Sequence, residues 1–158
     1  MTKDIIKHYC KELAKMFFIY CFSGGVYLMI ETLFRGYTFT EMYYLAGFLG
    51  IIAMMINNFM SYDTDYLLQC TIMTVVGTLG EGLTGIYFNS DFHIWDYRGL
   101  PGTFFHDQCN VIFVIAWFVV IFIMVPVLDY IEWRIFKFLP DTPPYYMIFG
   151  KKVFQFKE

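Results

Sequence analysis

Glu81 stands between Gly80 and Gly82 inside a long apolar stretch. On a helix, Gly77, Glu81 and Gly85 follow at i, i+4 and i+8 as one stripe, bordered by Thr74, Thr78 and Gly82. Small residues let helices approach closely, so this stripe is expected to face another helix with Glu81 in the contact. A second acid, Glu31, precedes Arg35 by four residues, the favourable order for an ion pair, and continues a stripe from Gly24 and Leu28. A carboxylate in apolar surroundings is costly, so such groups pair, neutralise or face a wet interior. Further polar residues follow in Trp95-Asp96-Tyr97-Arg98 and in His106-Asp107. The candidate cluster is therefore Glu31, Arg35, Glu81, Trp95, Asp96 and Tyr97. Arg98, His106 and Asp107 are additional members, and Gly24, Gly77 and Gly85 are packing positions.

Two kinds of chemistry fit such a cluster. The acids could bind a cation, a proton or a polar headgroup. Alternatively they are structural, Glu31 with Arg35 and Glu81 with Arg35, Arg98 or a tyrosine hydroxyl. His106 and Asp107, with His93 and Asp91, offer metal-ligating types, but a metal needs three or four converging ligands and spacing alone shows no such set. Adjacent residues on a helix diverge, which weakens an acid–base role for His106 and Asp107. No catalytic residue, metal or cofactor is assigned.

Composition sets the solvent. Of 158 residues, 58% are hydrophobic and only 16% charged, with mean hydropathy +0.53. A water-soluble domain of this size could not hide that much apolar surface, so a lipid bilayer is the expected surrounding. The net charge of −3 supplies no basic field, and no nucleic-acid partner is expected. Cys10, Cys21, Cys70 and Cys109 form no CxxC pair and read as small apolar residues.

Crossing a bilayer takes about 20 apolar residues. Four segments qualify: 14–34, 42–60, 67–88 and 109–128, the last able to run on to Phe136. The first reads as a retained span, since it is too long for the core of a cleavable leader. An amphipathic arm, 4–15, precedes it, and a tail, 137–158, follows the fourth. The fold class expected is all-α, a four-transmembrane-helix bundle in one membrane domain. Its connector between the third and fourth helices is half apolar, read as an interfacial or re-entrant element broken at Gly99 to Gly102. Asn57 and Asn58 are expected to cap or anchor the inner end of the second span. With four spans, nine Lys and Arg fall on the side of the termini and two, Arg35 and Arg98, on the other. The positive-inside bias then places both termini in the cytoplasm of a multi-pass cell-membrane protein, and Glu31 and Glu81 in the outer leaflet.

The segment from Gly24 to Gly50, "GGVYLMIETLFRGYTFTEMYYLAGFLG", resembles small bacterial inner-membrane proteins of the ABC transporter permease (type IV) family. The likeness continues through "EGLTG" (Glu81 to Gly85), "WDYRGLPG" (Trp95 to Gly102), Cys109, Trp117, "LDY" (Leu128 to Tyr130) and "PDTPPYYMIFG". It implies four helical spans and a transport role. Where the family has Gly-Gln-Ile-Cys, this chain has His106-Asp107-Gln108-Cys109, a bulky imidazole in place of a glycine.

The leading expectation is a permease-like transport component with an outer-leaflet polar site for a small solute or ion. The chain has no GxxxxGK[ST] phosphate loop, so energy from ATP would come from a separate ATPase chain. Four spans leave little room for a path in one protomer, so a homo-oligomer or another membrane subunit is implied. The alternatives are a structural or interaction subunit without transport, a membrane enzyme acting on lipid headgroups at the outer interface, and a small pore former. The orientation is directly testable. A green fluorescent protein fused after Glu158 is expected to fluoresce, and an active alkaline phosphatase at the same junction would reverse the assignment.

Overall fold

The computed structural model describes residues 2–137 and 143–157. Helix α1 runs Thr2–Arg35 without a break. At 1.5 Å per residue its 34 residues reach about 51 Å, well beyond the roughly 30 Å of a hydrocarbon core. The stretch 4–15, expected as a separate arm, is the first part of this helix, and its apolar residues Ile5, Ile6, Tyr9 and Leu13 are exposed. Gly36 ends α1 with φ +82, donating its N–H to the Thr32 carbonyl. That left-handed conformation is one that glycine alone adopts without strain.

Helix α2 (Thr40–Met54) is interrupted at Met55 and resumes as α3 (Ile56–Phe59). Helix α4 (Tyr66–Phe88) is capped by Asp65, whose side chain accepts the Leu67 N–H. Helix α5 (Val111–Tyr130) is capped in the same way by Asn110 and passes into a π-helical segment, Ile131–Phe136. Between α4 and α5, strand β1 (Thr103–Phe104) pairs antiparallel with β2 (Cys109–Asn110). After α5, β3 (Tyr145–Ile148) and β4 (Lys151–Gln155) form an antiparallel hairpin with a bulge between Tyr146 and Met147.

Among the described residues, three stretches are long and apolar enough to cross a membrane: Lys3–Arg35, Thr40–Phe59 and Val111–Phe136. Helix α4 has the length, 23 residues, but carries Gln69, four threonines, Glu81 and four glycines. Its most polar groups are turned inward, with Gln69, Thr74 and Glu81 all buried against protein. Large apolar side chains such as Phe17, Leu33, Phe48, Ile115 and Ile123 are exposed on the outer faces of the helices. A protein in water rarely displays such continuous apolar surface.

Close packing explains several glycines. A Cβ on Gly50 would lie 2.0 Å from the Ser23 hydroxyl oxygen, and one on Gly24 would lie 2.7 Å from the Tyr43 ring, so α1 and α2 touch almost backbone to backbone. On α4, Gly77 lies under the Trp117 ring of α5, with 3.7 Å to the position of a Cβ.

The polar residues do not all gather at one end, as the sequence suggests. Asp129, fully buried, accepts hydrogen bonds from Asn57 Nδ2 at 2.9 and 3.0 Å and from the Tyr146 hydroxyl at 2.7 Å. Beside it, Lys15 pairs with Glu132 at 2.6 Å and with Glu12 at 3.0 Å. The hairpin closes this end. Tyr145 donates to Asp63 and the Phe149 N–H to Asp65, both at 2.7 Å. Of the region 137–158, read as a tail, residues 138–142 and 158 lie outside the described residues, and 145–155 form this docked hairpin. Lys15 of α1, the turn before α4 and the end of α5 thus share one end of the molecule. The other end holds the α1–α2 turn and the connector 89–110, joined by Arg35 Nη1 donating to the Ile94 carbonyl at 2.9 Å.

Removing one member of a buried ion pair typically costs about 3–5 kcal/mol, whereas replacing both by apolar residues is often near neutral. Lys15→Met is therefore expected to lower stability by about that amount, and adding Glu132→Leu to restore most of it. Unfolding of the purified variants in denaturant checks both.

Candidate functional site: an acid-bearing aromatic cavity

Glu81, only 3% exposed, is held by two neutral donors. Its Oε1 accepts from the Tyr97 hydroxyl at 2.9 Å and its Oε2 from Trp117 Nε1 at 3.0 Å. Three segments therefore meet on one carboxylate: α4, the connector and α5. Each donor is fixed by an aromatic partner, Tyr97 stacking on Phe113 at 4.6 Å and Trp117 on Tyr27 of α1 at 5.4 Å. Burial, followed by the nearby Glu81 carboxylate, pushes the Tyr97 hydroxyl well above the ordinary tyrosine range, so it stays protonated and remains a donor.

The connector owes its shape to Asn89 and Gln108, both buried. Asn89 Nδ2 donates to the Trp95 carbonyl at 2.7 Å and to Gln108 Oε1 at 3.0 Å, while its Oδ1 accepts the Ile94 N–H at 2.7 Å. Gln108 Nε2 donates to the Asn89 carbonyl at 3.1 Å, and Trp95 Nε1 donates to the Gln108 carbonyl at 3.0 Å. Among the described residues the connector contains no helix. It is a knot of turns closed by β1 and β2, with Ile94, Trp95 and Tyr97 buried beneath it. The stripe on α4 serves this packing. Gly85 abuts Gln108, where a Cβ would lie 2.5 Å from Oε1, and Gly82 abuts Phe105.

Glu31 and Arg35 form the second part. Arg35 Nη2 lies 2.8 Å from Glu31 Oε1, and the Thr38 hydroxyl donates to Glu31 Oε2. The guanidinium also donates to the Tyr37 carbonyl through Nε at 3.3 Å and sits over the Tyr37 and Phe39 rings at 4.7 and 5.5 Å. Glu31, Arg35 and Glu81 line one cavity of about 250 Å³, together with Tyr27, Trp95, Tyr97 and Trp117. A smaller cavity of about 50 Å³ adjoins it across Tyr27 and Trp117 and extends past Ser23 to Leu128, the residue before Asp129.

Five of the six cluster residues expected from the sequence thus share the larger cavity. Asp96 does not line it. It is exposed and paired with Arg98 through two bonds of 2.9 and 2.7 Å, and hydrogen bonding to that arginine holds its carboxyl down at about 2. Arg98 in turn lies over the Phe92 ring at 4.1 Å. His106 and Asp107 are exposed and do not line the cavity, their backbones left-handed at φ +56 and +63. Asp91 pairs with His93 at the surface. No group of three or more His, Cys, Asp or Glu among the described residues is arranged to hold a metal ion.

Trp117 and Tyr27 escape a reading by residue spacing, since aromatic residues in apolar helices are usually core. The available signal is the indole N–H of Trp117, which needs an acceptor wherever water is absent. Losing a donor to a buried carboxylate costs about 1–3 kcal/mol. Trp117→Phe and Tyr97→Phe are each expected to destabilise by that amount. In a Glu81→Leu background the same changes should cost much less, which a double-mutant cycle on thermal unfolding measures.

No family model, curated protein or solved structure matches the chain.

Proposed function

We propose that the chain is a four-span integral membrane protein, with α4 as its third span and both termini cytoplasmic, that serves as a permease-like transport component. Its site recognises a small solute or ion from the extracytoplasmic side. The observation that carries this reading is the cavity of about 250 Å³ in which Glu81 meets the Glu31–Arg35 pair among aromatic rings. Ionisable groups inside a membrane that face a cavity are a mark of substrate or ion paths. The smaller cavity beyond Tyr27 and Trp117 supports a path that continues toward the other end, with the stacked pair between the two compartments. Gln69, Thr74 and Glu81 of α4 support its place as a span, because they are buried against protein while Leu68, Ile72, Val75, Leu79 and Leu83 are exposed. A homo-oligomer or another membrane subunit, with a separate ATPase chain, supplies the rest of such a machine.

A structural subunit without transport is the second reading, favoured by one observation: both oxygens of Glu81 are already bonded within the protein. Cysteine accessibility separates the two. Ala116 lines the larger cavity and Ala53 the smaller one. In a background with the native cysteines replaced, Ala116→Cys is expected to react with a membrane-impermeant thiosulfonate from outside, and Ala53→Cys only from the cytoplasmic side. If neither position reacts from either side, the interior is dry and the structural reading holds. A lipid-headgroup enzyme has less support, since His106 and Asp107 are at the surface while Glu81 is buried.

A further inference from the structure

The cavity around Glu81 opens between two helices. Of the residues that line it, those exposed are Ile30 and Phe34 of α1 and Ala116 of α5. Their neighbours along the two helices, Leu33 and Ile115, are exposed as well. On the connector side the lining is closed, with Trp95 and Tyr97 buried and Met42 of α2 buried beside them. The mouth is therefore an apolar gap between α1 and α5. Ile30 and Ala116 each lie five residues, about 7.5 Å, inside the outer ends of their helices. That depth is close to the boundary between headgroups and hydrocarbon, reached by interfacial water as well as by lipid. The smaller cavity continues inward past Val26 of α1 and Val120 and Met124 of α5.

Inside the apolar mouth are one unsatisfied donor and two acids. Arg35 Nη2 is buried and makes no hydrogen bond, since Glu31 Oε1 is 2.8 Å away but out of line with its N–H groups. The other guanidinium nitrogens donate to the Tyr37 and Ile94 carbonyls. Each Glu81 oxygen accepts one hydrogen bond and has a second lone pair to offer. The rings contribute edges and donors more than faces: Tyr97 stacks on Phe113, and Trp117 lies between Gly77 and Tyr27. A purely anionic ligand would meet two carboxylates against one guanidinium. A purely cationic one would leave Nη2 unpaired. A head that carries both an anionic oxygen and N–H donors answers both needs.

We infer that this gap holds a phospholipid with a zwitterionic, primary-ammonium head, of the phosphatidylethanolamine class, its acyl chains lying along α1 and α5. The phosphate draws Arg35 Nη2 away from its unbonded place beside Glu31, and the ammonium donates to the Glu31 and Glu81 carboxylates in its stead. A cavity of about 250 Å³, room for roughly eight waters at ~30 Å³ each, admits such a head and leaves the chains outside. A trimethylammonium head has no N–H for the acids, and a glycerol head has no cation. The inference rests on the membrane placement given above and not on transport.

The test uses the full chain with Trp133→Phe, so that the tryptophan signal comes from Trp95 and Trp117, which line the cavity. It is placed in nanodiscs that mix a phospholipid with brominated chains, which quench nearby tryptophan, and an unbrominated one with a different head. Ethanolamine, choline and glycerol heads are compared on identical chains. Quenching is expected to show the ethanolamine lipid held about tenfold more tightly than either of the others, for the ammonium N–H that each lacks. Glu81→Gln should remove most of that preference. Arg35→Gln should weaken the hold on the ethanolamine lipid about tenfold against diacylglycerol, which has no phosphate. Ala116→Phe, at the exposed mouth, should abolish the preference, while Ile123→Phe, exposed on the same helix outside the cavity, should leave it unchanged. Equal quenching whatever the head, or a preference that survives Ala116→Phe, overturns the inference. If it is overturned while Ala116→Cys still reacts from outside, the solute site stands alone. If the preference holds but Ala116→Cys does not react in discs of the glycerol lipid, the lipid site stands and the solute reading falls.

Discussion

A carboxylate away from water must be given hydrogen-bond donors or lose its charge, and much of this molecule is arranged around that requirement. Glu81 receives one donor from the connector and one from α5. To deliver the Tyr97 hydroxyl, the connector folds around Asn89 and Gln108. To deliver the Trp117 indole, α5 approaches α4 closely at Gly77, and Tyr27 of α1 stacks against the other face of the ring. One acid therefore ties α1, α4, α5 and the connector into a single arrangement. Each contact that fixes a donor also walls the cavity.

The same requirement recurs at the opposite end with different donors. Asp129 is held by Asn57 and Tyr146, and Glu132 by Lys15. Between these two polar layers lies an apolar stretch lined by Leu49, Met73, Ile121 and Met124. Polar ends around an apolar middle suit a molecule whose helices show large apolar side chains on their outer faces. The π-helical segment after α5 belongs to this design, since it carries Glu132 and the buried Trp133 at the point where the helix leaves the apolar stretch.

The sequence shows α2 with α3, α4 and α5 to within a few residues, because apolar runs of that length have few other solutions, but it starts α1 at residue 14 where the helix begins at Thr2. It also shows the Glu31–Arg35 pair, which helical spacing alone brings together, and a tyrosine hydroxyl among the partners open to Glu81. It does not show Asp129. That residue sits at the end of an apolar run, where an acid reads as the solvated edge of a helix, and its partners lie 72 residues before it and 17 after. Lys15 and Glu132 are hidden for the same reason, being 117 residues apart. Asp96 errs the other way. Its neighbours Trp95 and Tyr97 turn inward, so by alternation along an extended chain it turns outward to Arg98. No periodic pattern marks the docked hairpin either, because its anchors, Tyr145 and the Phe149 N–H, bind to acids in the turn before α4.

The order of synthesis gives the Asp129 cluster an asymmetry in time. As α5 emerges, Asn57 is already in place within an earlier helix, but Tyr146 has yet to be made. For that interval the acid holds one of its two donors, and the groove that receives β3 and β4 stays open to water. Closure of this end therefore has to wait until residues 145–155 are made.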